Sequence, residues 1–335
     1  MKAMGFIWIA LVLVAMRNMQ ATRSLDIGVC YGMLGDNLPA AADVIDLYKK
    51  NGIEKMRLFD PNAAALNALK DSGISVVLGV RNEDLQAIAA SQDAANAWFN
   101  THVAPYAGAV DIPVISAGNE VIPGQYAQYV RPAMDNLQHV VKTNLPTTHV
   151  STVVATGLLG KSYPPSAGEF SDEAKTDMTN VLSFLAQHGS PLLVNVYPYF
   201  AVAADPQQLD YALFTATGTV VQDGNLGYSN LFDAIVDSMF WATEKAGLPV
   251  DVVVSESGWP SAGNGNLTTV ELATTYNKNF MQHILAKKGT PKNPGANIDG
   301  YIFAMFNENQ KPAGVEQNFG LFNPDMSVLE PIFGN

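Results

Sequence analysis

Val252-Val253-Val254-Ser255-Glu256-Ser257-Gly258-Trp259-Pro260 and Ile112-Pro113-Val114-Ile115-Ser116-Ala117-Gly118-Asn119-Glu120 share one plan: a short β-branched run that closes on small residues and a carboxylate. A run this apolar, without polar alternation, is the signature of a strand covered on both faces, as in a parallel sheet. Burying an unpaired ionised group is costly, so an acid at the end of such a strand belongs at a cleft rather than in a core.

The same kind of run recurs outward from these two. Residues Ile27 to Tyr31, Ile53 to Phe59, Ser75 to Val80, Ile112 to Gly118, His149 to Ala155, Leu192 to Val196, Val250 to Ser255 and Ile298 to Phe306 make eight expected strands. Helical stretches lie between them. Asp60-Pro61 reads as an N-cap with proline at the first helical position, and Gly73 closes that helix. Gly52, Gly189, Gly247 and Gly289 follow other helical runs where a left-handed cap falls. Leu38, Val44, Ile45, Leu47 and Tyr48 supply one apolar face for the first helix. Eight strand–helix repeats predict an α/β fold, a (β/α)8 TIM barrel in a single domain over residues 25–335, with a doubly wound open sheet as the alternative. No linker or composition shift marks a second domain. Glu120 then follows the fourth strand and Glu256 the seventh, both at the C-terminal face, where barrel enzymes place their chemistry.

Residues 1–24 are expected to lie outside the fold. Lys2, the 13-residue apolar run Met4 to Met16 and a polar stretch to Ser24 read as a secretory signal peptide, too short to anchor the chain in a bilayer. The whole chain carries 19 basic and 31 acidic side chains; three of the basic ones and no acidic one lie in residues 1–24, so the remainder has 16 against 31, a formal charge of −15. Such a surface repels nucleic acid and anionic lipid and suits a neutral ligand. Cys30 is the only cysteine, so no internal disulfide exists, and its apolar neighbours suit a buried thiol. The five histidines are scattered, with no metal-binding spacing, and neither a metal nor another cofactor is expected. Asn266-Leu267-Thr268 is a glycosylation sequon in a glycine-rich stretch. Ala155-Thr156-Gly157-Leu158-Leu159-Gly160-Lys161-Ser162 fits a relaxed phosphate-loop pattern, but Tyr163-Pro164-Pro165 follows where the helix of a true phosphate loop must open.

Two strand-end carboxylates on one face are the minimum equipment for breaking a glycosidic bond. The surrounding residues extend that reading. Ala117-Gly118-Asn119-Glu120, the run Val253 to Ser261 around Glu256, and the tail Phe306-Asn307-Glu308-Asn309-Gln310-Lys311 with Glu316-Gln317-Asn318-Phe319-Gly320-Leu321-Phe322 resemble the plant glucan endo-1,3-β-glucosidases of glycoside hydrolase family 17. The likeness runs from Ile27 to Pro331. The resemblance implies a retaining endo-glucanase on a (β/α)8 barrel, with Glu256 as nucleophile and Glu120 as general acid/base. It carries supporting charges onto Glu308, Lys311 and Glu316, although the Lys311 to Glu316 interval is shorter than in the family's cereal members. It favours β-1,3-glucan as the substrate, with mixed-linkage β-1,3-1,4-glucan as the runner-up. The absence of a cysteine-rich binding module, a hydrophobic anchor tail or a vacuolar extension after Pro331 matches the acidic, extracellular, monomeric members associated with defence.

Asn119, adjacent to the acid, is expected by resemblance to barrel glycosidases with an Asn-Glu pair to bond the sugar 2-hydroxyl near the nucleophile, with a strand-end turn residue as the alternative. Lys311 either stabilises the carboxylates or forms a surface pair with Glu308. Tyr31, Phe59, Tyr197, Tyr199, Trp259 and Phe306 fall at strand ends on the correct face and are candidate sugar-stacking platforms, with core packing the alternative for each. A catalytically silent glucan-binding protein would keep such aromatics and lose the carboxylates; here both are present.

Overall fold

The computed structural model describes residues 25–334. Eight parallel strands close into a barrel: β1 Leu25–Tyr31, β2 Ile53–Leu58, β3 Ser75–Val80, β4 Asp111–Asn119, β5 His149–Ala155, β6 Leu192–Asn195, β7 Val252–Ser257 and β8 Gly300–Ile302. Each strand pairs with its sequence neighbours, and β8 returns to β1 with Gly28 opposite Tyr301. The chain is a single (β/α)8 barrel, and closure excludes the open sheet. The expected signal peptide lies outside the described residues.

Helices α1 Ala41–Lys50, α2 Ala63–Leu69, α3 Leu85–Ala90, α4 Gln92–His102, α5 Ala127–Asn144, α6 Asp172–His188, α7 Pro198–Ala204, α8 Leu209–Ala212, α9 Leu231–Lys245 and α10 Val270–Leu285 fill the connections. Their ends follow local chemistry. In α6 the Ser171 hydroxyl accepts from Ala174 N–H, Asp172 and Glu173 occupy the first turn, and Gly189 at φ +62° closes the helix. The cap of α2 differs from expectation: Asn62 Oδ1, not Asp60, accepts the N–H groups of Ala64 and Ala65. Asp60 and Pro61 precede the cap. Among the described residues no α-helix follows β8. The chain beyond Ile302 instead loops back over the barrel, with Ala304 N–H donating to Phe319 O and Met305 N–H to Cys30 O, which is why the last strand is shorter than its apolar run.

Strand alternation divides the apolar side chains into two layers. Val29, Met56, Val76, Ile115, Val154 and Val254 pack outward beneath the helices. Cys30, Val77, Val114, Val153, Leu193 and Tyr301 form a separate cluster inside the barrel. Arg57, between the outward-packed Met56 and Leu58, shares the inner face, and so does Asn195, two residues after Leu193. The relaxed phosphate-loop stretch opens no helix: Thr156–Leu158 is a single 3-10 turn, Leu159–Lys161 pairs antiparallel with Glu169–Phe170, and α6 begins only at Asp172.

Candidate active site

Both carboxylate-bearing strands are irregular at their C-terminal ends. On the β6–β7 ladder Val254 pairs with Val194 and Glu256 with Asn195, so β7 holds one extra residue beside the acid. On the β4–β5 ladder Ser116 pairs with Ser151 and Asn119 with Val153, again with one extra residue before the acid. A bulge re-aims the side chain that follows it, and here both turn a carboxylate into the barrel mouth. Gly118 at φ +80° and Glu120 at φ +55° complete the turn after β4, and Glu120 N–H donates to Val153 O at 2.9 Å. A glutamate in the left-handed region costs roughly 1 kcal/mol, a strain held at a site rather than relieved.

Glu256 is 6 % exposed and is surrounded by donors. Arg57 Nη1 donates to its Oε1 at 2.6 Å, Asn195 Nδ2 to the same oxygen at 2.9 Å, and the Tyr197 hydroxyl to Oε2 at 2.6 Å. Arg57 is itself buried and donates further to Ser255 O and to Asn119 Oδ1. Burial and the carboxylate beside it hold the Tyr197 phenol well above its ordinary range, so it stays a donor.

Glu120 stands open to the cleft from the other side. Asn195 Nδ2 donates to its Oε1 at 2.7 Å. The two Oε1 atoms thus share one donor nitrogen, and their separation cannot exceed the sum of 2.7 and 2.9 Å, which is 5.6 Å. The Glu120 carboxyl is pushed above its ordinary range, first by loss of water around it and then by the negative charge of Glu256; the Asn195 hydrogen bond opposes both. One acid is ion-paired and accepts three hydrogen bonds, and the other is biased toward its protonated form.

The pair opens into a cleft of about 1040 Å³ lined by Tyr31, Phe59, Tyr197, Phe200, Phe303 and Phe319 among others. Glu308 and Lys311 stand together at one wall with Glu316 at its rim: Lys311 Nζ lies 3.6 Å from Glu308 and 4.0 Å from Glu316. Lys311 therefore pairs with Glu308 as its spacing allows, yet it does so in the cleft wall over the Phe303 ring and not on the outer surface. Its partner is not Glu256. Glu308 accepts from Leu34 N–H at 2.8 Å, and Gly32 leaves it room, since a Cβ there would meet a Glu308 oxygen at 2.3 Å.

Among the expected platforms, Tyr31, Phe59 and Tyr197 line the cleft. Tyr199, Trp259 and Phe306 do not: they are 2 %, 0 % and 1 % exposed and belong to the core. Trp259 packs edge-on to Tyr199 and donates Nε1–H to Leu267 O, while Asn264 donates to the Tyr199 hydroxyl. Tyr199 and Trp259 brace the loop after β7, while Phe306 packs edge-on to Tyr31. Phe200, 47 % exposed in the cleft, has the openness that they lack. Asn119 also lines the cleft, with its Oδ1 occupied by Arg57 and its backbone clamped by Asn82. Asn266 is exposed in a one-turn 3-10 segment of the loop after β7. Arg57 and Asn195 were not among the expected site residues. Arg57 is one of three charged residues in the run Ile53 to Phe59, beside Glu54 and Lys55, so the run itself did not single it out; a lone amide near the end of Leu192 to Val196 was a weak signal for the second.

The family model for glycosyl hydrolases family 17 matches residues 27–330. The chain belongs to that family. This family 17 chain is 53 % identical over 317 residues to a probable glucan endo-1,3-beta-glucosidase of Arabidopsis thaliana, covering 93 % of the chain and 91 % of that protein. It is 51 % identical over 308 residues to a glucan endo-1,3-beta-glucosidase of Vitis vinifera, covering 89 % and 88 %. Among solved structures it superposes on a beta-1,3-glucanase and allergen of Cryptomeria japonica pollen with a TM-score of 0.89 at 48 % identity, over 92 % of this chain and 99 % of that one. A plant beta-glucan endohydrolase, solved as one of two with distinct substrate specificities, gives a TM-score of 0.88 at 47 % identity, over 92 % of this chain and 100 % of that one. The family 17 chain is thus a glycoside hydrolase. Among the described residues no cluster of histidine, cysteine or acidic side chains is arranged to hold a metal ion, and no helix is long and apolar enough to cross a membrane.

Proposed function

We propose that this protein is a retaining endo-hydrolase of β-1,3-glucan, with Glu256 as nucleophile and Glu120 as general acid/base. The observation that carries the chemistry is the single Asn195 nitrogen bonded to both carboxylates. If each of its two hydrogens points at one oxygen, the oxygens lie about 4.9 Å apart, the spacing of retaining enzymes and short of the roughly 6.5 Å or more that an inverting water needs. Endo action and the β-1,3 linkage are supported by the names of the relatives.

Oε1 of Glu256 has both lone pairs engaged by Arg57 and Asn195, whereas Oε2 accepts only from Tyr197. Oε2 is therefore the attacking atom. It forms the bond to the anomeric carbon as Glu120 delivers its proton to the departing glycosidic oxygen, which leaves as a hydroxyl. The glycosyl ester has no charge on Glu256, so the repulsion that raised Glu120 is gone. Glu120, now ionised, takes a proton from water as its oxygen attacks the same carbon, and Glu256 leaves as a carboxylate. Substrate rings stack on Tyr31, Tyr197 and Phe200, and Asn119 reaches a hydroxyl beside the nucleophile. Residues 1–24 act as a secretion signal, and the protein works outside the cell as a monomer with a defence-related role. Asn266 is its glycosylation position.

The roles are tested by azide rescue with an activated aryl β-glycoside. Glu256→Ala leaves space beside the anomeric carbon and is expected to yield an α-configured glycosyl azide; Glu120→Ala still forms the ester and is expected to yield the β-configured one. The opposite configurations would reverse the assignment. Product analysis on laminarin and on mixed-linkage β-glucan tests the linkage, and equal or faster cleavage of the latter would refute the β-1,3 preference.

A further inference from the structure

Among the described residues the Asn195 side chain bonds only Arg57, Asn119, Glu120, Ser255 and Glu256. It is 2 % exposed at the end of β6, and its Oδ1 accepts from two groups, the Ser255 hydroxyl at 2.8 Å and Arg57 Nη1 at 3.2 Å. A guanidinium can only donate, so the side-chain oxygen must face it and the amide orientation is settled. The NH2 group then points to three acceptors with two hydrogens to give. Glu120 at 2.7 Å and Glu256 at 2.9 Å take them, while Asn119 Oδ1 at 3.3 Å is already served by Arg57 Nη2 at 2.7 Å.

We infer that Asn195 is a positioning residue that sets how the two catalytic carboxylates share protons: it clamps them at retaining distance and leaves Oε2 of Glu120 as the atom that carries the transferable proton. The inference rests on the roles proposed for Glu120 and Glu256. Because Oε1 of Glu120 accepts the Asn195 hydrogen, a proton placed there would weaken that bond by making the oxygen a poorer acceptor. Oε2 is free of it. The same bond makes the ionised form of Glu120 accessible in the second step, when the acid must become a base. Without it, only burial and the charge of Glu256 would act, both holding the proton on. The charged and titratable groups facing this pair are Arg57 from β2, Tyr197 after β6, Cys30 from β1, and Lys311, Glu308 and Glu316 from the loop after β8. Arg57 and Tyr197 donate to Glu256 but not to Glu120, and among the described residues Asn195 is the donor that reaches both acids.

Two substitutions separate a donor from a filler. Asn195→Asp keeps the volume and the oxygen that serves Arg57 and Ser255, so a packing role survives it, whereas the donor is replaced by a third carboxyl. Asn195→Ala removes the donor without adding charge. The readouts are pH profiles of kcat/KM and kcat on laminarin for wild type and both variants, with unfolding curves as the control for folding. In Asn195→Ala the alkaline limb of kcat/KM, which reports loss of the Glu120 proton, is expected to move up by about one unit, the worth of a hydrogen bond to a charged group. Its kcat on an activated aryl glycoside is expected to fall more than its kcat/KM, because the base step suffers. Asn195→Asp is expected to fold like wild type and to lose at least tenfold in kcat/KM near neutral pH, recovering in acid as the introduced carboxyl gains a proton. An Asn195→Asp variant with wild-type kcat/KM and profile, or an Asn195→Ala variant whose limbs do not move, overturns the inference. Failure of wild type itself to hydrolyse laminarin would instead overturn the function on which it rests.

Discussion

Replacing Glu330 by glutamine should stabilise the fold in alkali and leave it nearly unchanged in acid. Glu330 has no exposed surface and joins the C-terminal segment to α10, where Asn277 Nδ2 donates to its Oε2 at 2.7 Å. Its Oε1 and Asn277 Oδ1 are both buried without a partner. A carboxylate cannot serve a second acceptor, but a protonated carboxyl can, and burial pushes Glu330 up from 4.5 to about 8. A raised value means that the folded state holds the proton more tightly than the unfolded chain. The contribution is fully present below the unfolded value and is lost as pH rises through about 8. Over about 3.5 units, at roughly 1.4 kcal/mol each, the loss is at most about 5 kcal/mol. Glutamine presents an oxygen to Asn277 Nδ2 and a hydrogen to Asn277 Oδ1 at every pH. Urea unfolding at pH near 5 and near 9 is the assay, and the difference between variant and wild type cancels every other titrating group. The expected difference is under about 1 kcal/mol at the lower pH and about 3–5 kcal/mol in favour of Glu330→Gln at the higher. A difference of equal size at both would refute the reasoning, because it would show that no proton is bound at this position on folding.

Arg57→Met leaves the buried Glu256 carboxylate without its cation; it is expected to cost about 3 kcal/mol in unfolding free energy and at least about a hundredfold in kcat/KM. A variant as stable and active as wild type would show that Tyr197 and Asn195 alone support the acid. Cys30 is fully buried, its thiol pushed far up by loss of water and its Sγ placed against Ser255 O. Native protein is therefore expected to resist iodoacetamide and to label one thiol only after unfolding, as read by mass spectrometry; rapid native labelling would contradict that burial.

The strands were readable because a buried parallel strand must be apolar along its length, and Ser75–Val80 and His149–Ala155 fall where their sequence runs predict. Glu120 and Glu256 were readable for the complementary reason, as acids that such runs do not tolerate in their interiors. The aromatic residues were not. Trp259 follows its strand by two residues, as Tyr197 does, and Tyr199 lies just beyond in the first turn of α7; position along the chain does not say whether a ring turns into the cleft or beneath a loop. Asn62 took the helix cap from Asp60 through backbone geometry that the dipeptide Asp60-Pro61 does not reveal.

Sequence by itself determined the eightfold repeat and the face on which the two strand-end acids, to which we assign the chemistry, lie, because each depends on which residue types a local segment can bury. Closure of the barrel decided the rest. Arg57 and Glu256 are 199 positions apart, and Asn195 reaches acids 75 and 61 positions away on either side. Their bonds exist because β2, β4, β6 and β7 aim their inner faces at one axis, and because a one-residue bulge in β4 and in β7 turns each carboxylate onto it. Distances of this kind are properties of the ring, since no strand contains both ends of any of them.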